Sequence, residues 1–173
     1  MTAMADPPPK DRDVLYARAV EAAGGAISRV ALGYEADPDR RRDLVQDMHT
    51  ALWRSLGRFD GRCSLTTWTW RVAHNVGASH VRRYGRGSFV ELQDLEDLSD
   101  VEATIDRARA LQRLTELIHR LAPDDRQLLM LYLEGLDGRA IADVTGLSAS
   151  NVATRIHRLK ALLARRFQEG TSR

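Results

Sequence analysis

GRAIADVTGLSASNVATRIHRLKALL, residues 138–163, governs how the rest of the chain is read. From Gly138 to Thr145 the apolar spacing predicts a short helix carrying Ala140, Ile141 and Val144. Gly146-Leu147-Ser148 then turns the chain. Glycine admits the left-handed backbone such a turn needs, and Leu147 can plug the crevice between two helices. Ser148 can accept the orphan N–H groups that open the next helix. Beyond it Val152, Ile156, Leu159 and Leu163 recur at spacings of four, three and four, a stripe expected to face a core.

A short helix, a glycine turn and a longer helix form a helix-turn-helix. The stripe leaves Ser150, Asn151, Ala153, Thr154, His157, Arg158 and Lys160 outward. No acid lies between Asp143 and Glu169, whereas five Lys/Arg do. The candidate DNA-facing residues are Ser150, Asn151, Thr154, Arg155, His157, Arg158 and Lys160. Asparagine, threonine and arginine can read base edges in a major groove, while the later cations meet phosphate. The plainer alternative is a solvated basic face on an ordinary packing motif.

Two further helices precede this pair. Leu111, Leu114, Leu117, Ile118 and Leu121 form one amphipathic stripe. Pro123 opens the next helix, which carries Leu128, Leu129, Leu131, Tyr132 and Leu133 to a stop at Gly135. Together they predict a helical domain over residues 107–168, followed by a tail at 169–173.

The net charge of +2 hides a partition. Residues 1–86 hold 14 Lys/Arg against 10 Asp/Glu, residues 107–173 hold 12 against 7, and residues 87–106 hold seven acids and no base. Two polyanion-facing modules joined by an acidic linker at 87–106 account for that pattern; a solvated loop inside one domain is the alternative. Arginine makes up 24 of the 26 bases, which composition bias explains as readily as phosphate recognition.

The first module spans residues 13–86, after a disordered tail at 1–12 stiffened by Pro7, Pro8 and Pro9. Helices are expected over Val14–Glu21 and Ala26–Tyr34, separated at Gly24-Gly25. Asp37-Pro38 reads as an N-cap followed by proline at the first helical position, where its missing N–H costs nothing. Leu44, Val45, Met48, Ala51, Leu52 and Leu56 then share one stripe, with Asp43, Gln46, Asp47 and Arg54 opposite. Asp60-Gly61 turns the chain, and Ser64 caps a helix running to about Arg83. No strand signal and no internal repeat is present, so the fold class is all-α, in two small helical domains.

Residues 61–90 form a second acid-free stretch, with five arginines interleaved with Trp68, Trp70, His74, Asn75, His80 and Tyr84. Aromatics among cations suit single-stranded nucleic acid, because every base offers a stacking face. Trp68, four residues from Val72, is better read as core; Asn75 is a polar amide on a helix already supplied with apolar positions.

No apolar run reaches the roughly 18 residues of a membrane span, and no leader pattern opens the sequence, so a soluble cytoplasmic chain is expected. The single cysteine, Cys63, leaves no internal disulfide and no multi-cysteine zinc site. His74 and His80 lie six apart and share no helix face, and no HExxH-like pair exists. No catalytic residue, metal or cofactor is therefore expected, and the histidines read as surface or groove-facing.

RRDLVQDMHTALWRSLGRFDGRCSLTTWTWRVAHNV resembles the second conserved region of extracytoplasmic-function sigma factors, and YLEGLDGRAIADVTGLSASNVATRIHRLKALL resembles their fourth. The likeness, in the same order, takes in most of residues 25–167. It implies a transcription initiation factor that binds the core of bacterial RNA polymerase and directs it to promoter DNA. By position, Asp43, Gln46 and Asp47 would face the polymerase. Phe59, Arg62, Ser64, Arg71, Asn75, Arg82 and Arg83 would meet the −10 element, with Phe59, the loop to Ser64 and Asn75 around a flipped base. Ser150 to Lys160 would enter the major groove of the −35 element, and an anti-sigma protein is a further implied partner. Arg41 and Arg42, before Asp-Leu-Val-Gln, depart from the family's usual small or acidic residues; Ala153 departs from a common base; the segment before Ala26 is short. The competing reading is a conventional helix-turn-helix regulator that binds DNA as a symmetric dimer without polymerase.

Overall fold

The carboxylate of Asp37 accepts the N–H groups of Asp39 and Arg40 at 3.0 and 2.9 Å, and Pro38 takes the first helical position. This cap starts an 18-residue helix in the computed structural model, which describes residues 9–23, 25–84 and 107–168. The chain divides after Gly85 into two compact units, each taken by itself below. The acidic linker expected at 87–106 and the tail at 169–173 lie outside the described residues.

The first unit contains α1 (Pro9–Ala23), α2 (Ala26–Tyr34), α3 (Pro38–Ser55) with a 3₁₀ turn at Leu56–Arg58, and α4 (Leu65–Tyr84). Leu44, Met48, Leu52 and Leu56 recur every four residues and are at most 1% exposed. Each removes enough apolar surface to contribute roughly 1.5–3 kcal/mol. They face the core side of α4, where Trp70, Ala73 and Val81 are also buried. Gly25, at φ 76°, makes the left-handed step between α1 and α2. Gly77 serves closeness instead: a Cβ there would lie 2.5–2.8 Å from the Tyr34 ring, so only glycine lets α2 and α4 approach this far.

One expectation needs correcting. α1 begins at Pro9, so residues 9–12 of the expected tail are helical. A proline at the first position fits a helix start as well as a stiff tail, because its φ is already helical and its absent N–H has no partner to lose.

The second unit contains α5 (Arg107–Arg120), α6 (Pro123–Leu133), α7 (Gly138–Thr145) and α8 (Ala149–Gln168). α6 is buried on most sides, with Leu128, Leu129 and Leu131 at 0% exposure, and acts as the post against which α5, α7 and α8 pack. Arg126, also buried, donates through Nη2 to the carbonyls of His119 and Leu121 at 2.6 and 3.1 Å. It thereby satisfies acceptors that the end of α5 would otherwise leave orphaned. The predicted stripes hold only where a neighbour covers them: Leu111 and Leu133 are 57% and 45% exposed. On α8, Val152 and Leu159 are fully buried and Ile156 is half-buried, but Leu162 turns into the core while Leu163 stays at its edge. A helix that crosses its neighbours at an angle buries a drifting face rather than a straight stripe.

Candidate functional site

The helix-turn-helix is assembled from two caps and one glycine. Asp137 accepts the N–H of Ala140 at 2.8 Å and opens α7. Gly146, at φ 76°, ends it with its N–H on the carbonyl of Ala142, the left-handed C-terminal stop that glycine makes at least cost. Leu147 is half-buried in the turn, and Ser148 Oγ accepts the N–H of Asn151 at 3.3 Å. With Val152 and Leu159 locked inward, Ser150, Asn151, Thr154, His157, Arg158 and Lys160 are all exposed. Three of them are partly engaged locally, the Ser150 hydroxyl lying 3.2 Å from that of Ser148. The Thr154 hydroxyl donates to the carbonyl of Ser150 at 3.0 Å, and Lys160 Nζ lies 5.7 Å from the centre of the Tyr132 ring.

Arg155 does not belong with that outward set. It is half-buried, and its Nε and Nη2 both reach Asp125 Oδ1, at 2.8 and 2.6 Å. The side chain lies at the flank of the buried seam, where a carboxylate on α6 is nearer than any groove. Apolar spacing alone did not distinguish flank from face.

In the first unit, α3 presents Asp43, Gln46 and Asp47 to solvent, opposite Leu44 and Met48. Arg41 is not part of that surface: its Nη1 lies 3.2 Å from the carbonyl of Ala36, bracing the α2–α3 turn. Arg42 pairs with Asp39 one turn earlier.

The loop before α4 and the helix itself collect the remaining sequence-predicted residues. Phe59 meets the edge of Trp68, ring centres 5.5 Å apart, and Trp68 Nε1 donates to Ser55 Oγ at 2.9 Å. Arg62 is exposed, its backbone N–H and Nε both 3.1 Å from Asp60 carboxylate oxygens. Ser64 Oγ accepts the N–H of Thr67 at 3.0 Å, the expected cap. Arg71 is half-buried with Nη1 3.9 Å from Cys63 Sγ. Asn75, Arg82 and Arg83 are exposed; Arg82 donates to Ser79 Oγ at 2.9 Å, and Arg83 lies 5.8 Å from the Tyr84 ring. Arg62, Ser64, Asn75, Arg82 and Arg83 thus reach solvent, Ser64 with its hydroxyl committed to the cap, while Arg71 is half-buried near the start of α4.

The histidines are a second correction. His74 is 1% exposed, stacked on Trp70 with Nδ1 3.0 Å from the Tyr34 hydroxyl. Burial pushes its imidazole down to about 3, so it is neutral in the fold. His80 is bound at 2.8 Å to Glu35, and His49, half-buried, shares a 2.8 Å hydrogen bond with the Tyr16 hydroxyl. None of the three faces a groove. α4 is enclosed by three helices, and a ring nitrogen on such a helix meets a polar partner from a neighbour more readily than water.

Glu35 is a residue the sequence did not single out. It is 7% exposed and holds His80, the N–H of Asp37 and Arg40, the last at 3.3 Å. Burial works to raise its carboxyl, but the bonds from His80 and Asp37 and the charge of Arg40 outweigh it, and the group sits below its ordinary range. Nothing local marks an acid for a partner 45 residues away. Among the described residues no cluster of three or more His, Cys, Asp or Glu side chains could hold a metal, and no helix is long and apolar enough to cross a membrane.

Comparison with known proteins agrees with this arrangement. Residues 19–87 match the family model for sigma-70 region 2 and residues 111–163 that for sigma-70 region 4, together more than two thirds of the chain. The chain is 27% identical over 125 residues to the RNA polymerase sigma factor YlaC of Bacillus subtilis, covering 69% of this chain and 72% of that one. It is 27% identical over 139 residues to the ECF RNA polymerase sigma-E factor of Haemophilus influenzae, covering 73% and 74%. Among solved structures, CnrH in complex with the cytosolic domain of CnrY superposes with a TM-score of 0.64 at 24% identity, over 92% of this chain and 97% of that one. RpoE in complex with the anti-sigma factor NepR from Bartonella quintana gives 0.64 at 21% identity, over 87% and 94%. The two units, each with its own sigma-70 region and in this order, show that the chain belongs to the extracytoplasmic-function sigma factors, transcription initiation factors that direct RNA polymerase core to promoter DNA and are not themselves enzymes.

Proposed function

We propose that the two units divide promoter recognition between them. The outer face of α8, with Ser150, Asn151, Thr154, His157 and Arg158, reads the −35 element in the major groove, and Lys160 adds a phosphate contact. The loop from Phe59 to Ser64, with Arg62, Asn75, Arg82 and Arg83, engages the −10 element as it opens. Asp43, Gln46 and Asp47 on α3 dock on the polymerase core. The first domain takes in α1 from Pro9 and runs to residue 86, the second spans 107–168, and residues 87–106 are an acidic linker whose charge suits a protein surface better than DNA. The protein acts in the cytoplasm, and an anti-sigma protein is its restraining partner; the support for that partner is that RpoE of Bartonella quintana, a structural neighbour, is held in a complex with the anti-sigma factor NepR.

The observation that carries this reading is the contrast on α8 between a fully buried seam and an outer face of exposed hydrogen-bonding and basic side chains. A major groove admits an α-helix that presents such a face. Run-off transcription with core polymerase tests it. The wild-type chain is expected to direct initiation at discrete sites, and Asp43→Ala with Gln46→Ala to lower core capture while leaving helicity unchanged. Undiminished capture would remove α3 from the polymerase face.

A further inference from the structure

We propose that Asp125 and Arg155 form a positioning pair that sets the rotation of α8 about its axis, and through it the base sequence that the outer face selects. The proposal rests on α8 as the duplex-facing helix and deepens that reading. Two adjacent residues at the start of α6 hold two of its three neighbours. Arg126 grips the end of α5 through the carbonyls of His119 and Leu121. Asp125 reaches the second turn of α8, where Nε and Nη2 of Arg155 converge on its Oδ1. The pair is largely withdrawn from water, with side chains 12% and 24% exposed.

The apolar seam of Val152, Leu159 and Leu162 sets which side of α8 is inward but fixes its fine roll only loosely, because burial of apolar surface is non-directional. Two charge-assisted N–H groups of one planar guanidinium converging on a single carboxylate oxygen have a definite direction and do fix it. The effect on recognition follows from lever length. At a helix surface ~6 Å from the axis, a roll of about 20° carries a side-chain tip about 2 Å, enough to break a base contact. Arg155 lies one residue after Thr154 and three before Arg158, so any roll it prevents would displace both. An arginine so engaged neutralises no phosphate.

The test uses the full chain with core polymerase on two duplexes, a −35 sequence selected by the wild-type protein from a randomised pool and a scrambled control. Asp125→Asn and Arg155→Gln are each expected to lower the preference for the selected duplex about ten-fold, the scale of one lost base contact. The double variant is expected to be no worse than either single, and the swap Asp125→Arg with Arg155→Asp to recover part of the preference. The dependence of affinity on salt should stay at the wild-type slope throughout. Arg155→Lys, which keeps the charge but not the planar guanidinium, gives a smaller loss at the same slope and serves where a single variant melts at the assay temperature. A fall in slope of about one for Arg155→Gln, with Asp125→Asn unaffected, would make Arg155 a phosphate contact and overturn the proposal. Unchanged preference in every variant of the pair also overturns it. Arg158→Ala then separates the two levels: if it alters the preference, the reading of α8 stands without the pair, and if it does not, that reading falls as well.

Discussion

α4 and α8 are both 20-residue helices whose first turn lacks acid, and both lie in stretches rich in arginine, yet the fold uses them oppositely. α4 is packed by α1, α2 and α3, and its Trp70, His74 and Gly77 are interior. α8 rests on α6 and α7 along one seam and leaves the remainder of its circumference open. A helix enclosed on several sides can offer nucleic acid its flanking loop, an occasional outward residue such as Asn75, and its end. A helix held along one seam can enter a groove. On the function proposed above, similar charge in the sequence would serve strand capture in one unit and duplex reading in the other.

The harshest way to break the contrast is to damage one seam. Leu159→Ala removes a side chain at 0% exposure and is expected to cost about 2–5 kcal/mol in the second unit. All three tryptophans lie in the first unit, at positions 53, 68 and 70, so their fluorescence follows that unit alone. Loss of helical signal at lower urea, with the tryptophan transition in place, is the expected outcome; a joint shift would mean that the units do not hold separate cores.

Next in size is the division of labour. Arg158→Ala should weaken binding to the selected −35 duplex by about 1–3 kcal/mol, the range for one base contact. Asn75→Ala should leave that binding unchanged and reduce permanganate reactivity in the −10 bubble. Reversal of the two phenotypes would exchange the roles given to the units.

Acid sharpens the comparison. His74 is held neutral with its titration lowered to about 3, whereas in the unfolded chain it protonates near 6.5. The unfolded state therefore binds more protons between those values, so the His74 contribution is full above about pH 6.5 and declines as pH falls, by about 1.4 kcal/mol per pH unit. Glu35, lowered from its ordinary range, works in the same direction: its contribution is present above that range and is lost as pH falls through its folded value. His74→Gln should flatten the acid dependence of the tryptophan-detected transition. An unchanged slope would assign the sensitivity elsewhere.

The smallest effect concerns the caps. Asp37 accepts two N–H groups and Asp137 one, so Asp37→Ala should lower the unfolding midpoint of its unit more than Asp137→Ala lowers that of the other. Equal midpoint shifts for both would show that the second bond at Asp37 is already replaced by water.

Much of this architecture was legible because it is local. The Asp37-Pro38 start, the limits Ala26–Tyr34 and Gly138–Thr145, and the turn at Gly146 follow from caps, proline and glycine acting within a few residues. The outward placement of Asp43, Gln46, Asn75, Asn151 and Arg158 was equally readable, since helical period puts polar residues opposite an apolar stripe. His49, His74, His80 and Arg155 were misjudged for the converse reason. A side chain at the edge of a stripe has no orientation of its own until a neighbouring helix supplies a partner, and those partners lie 30 to 45 residues away.

By itself, then, the sequence determined the helices, their order, the acid-free faces and the separation into two basic modules, all set by short-range backbone chemistry and by charge along the chain. Tertiary structure alone decided which polar groups became interior. Glu35 found His80, Tyr34 found His74 across the space cleared by Gly77, and Asp125 found Arg155. A buried polar group needs a partner in three dimensions, and the crossing of helices, not their composition, brings that partner within reach.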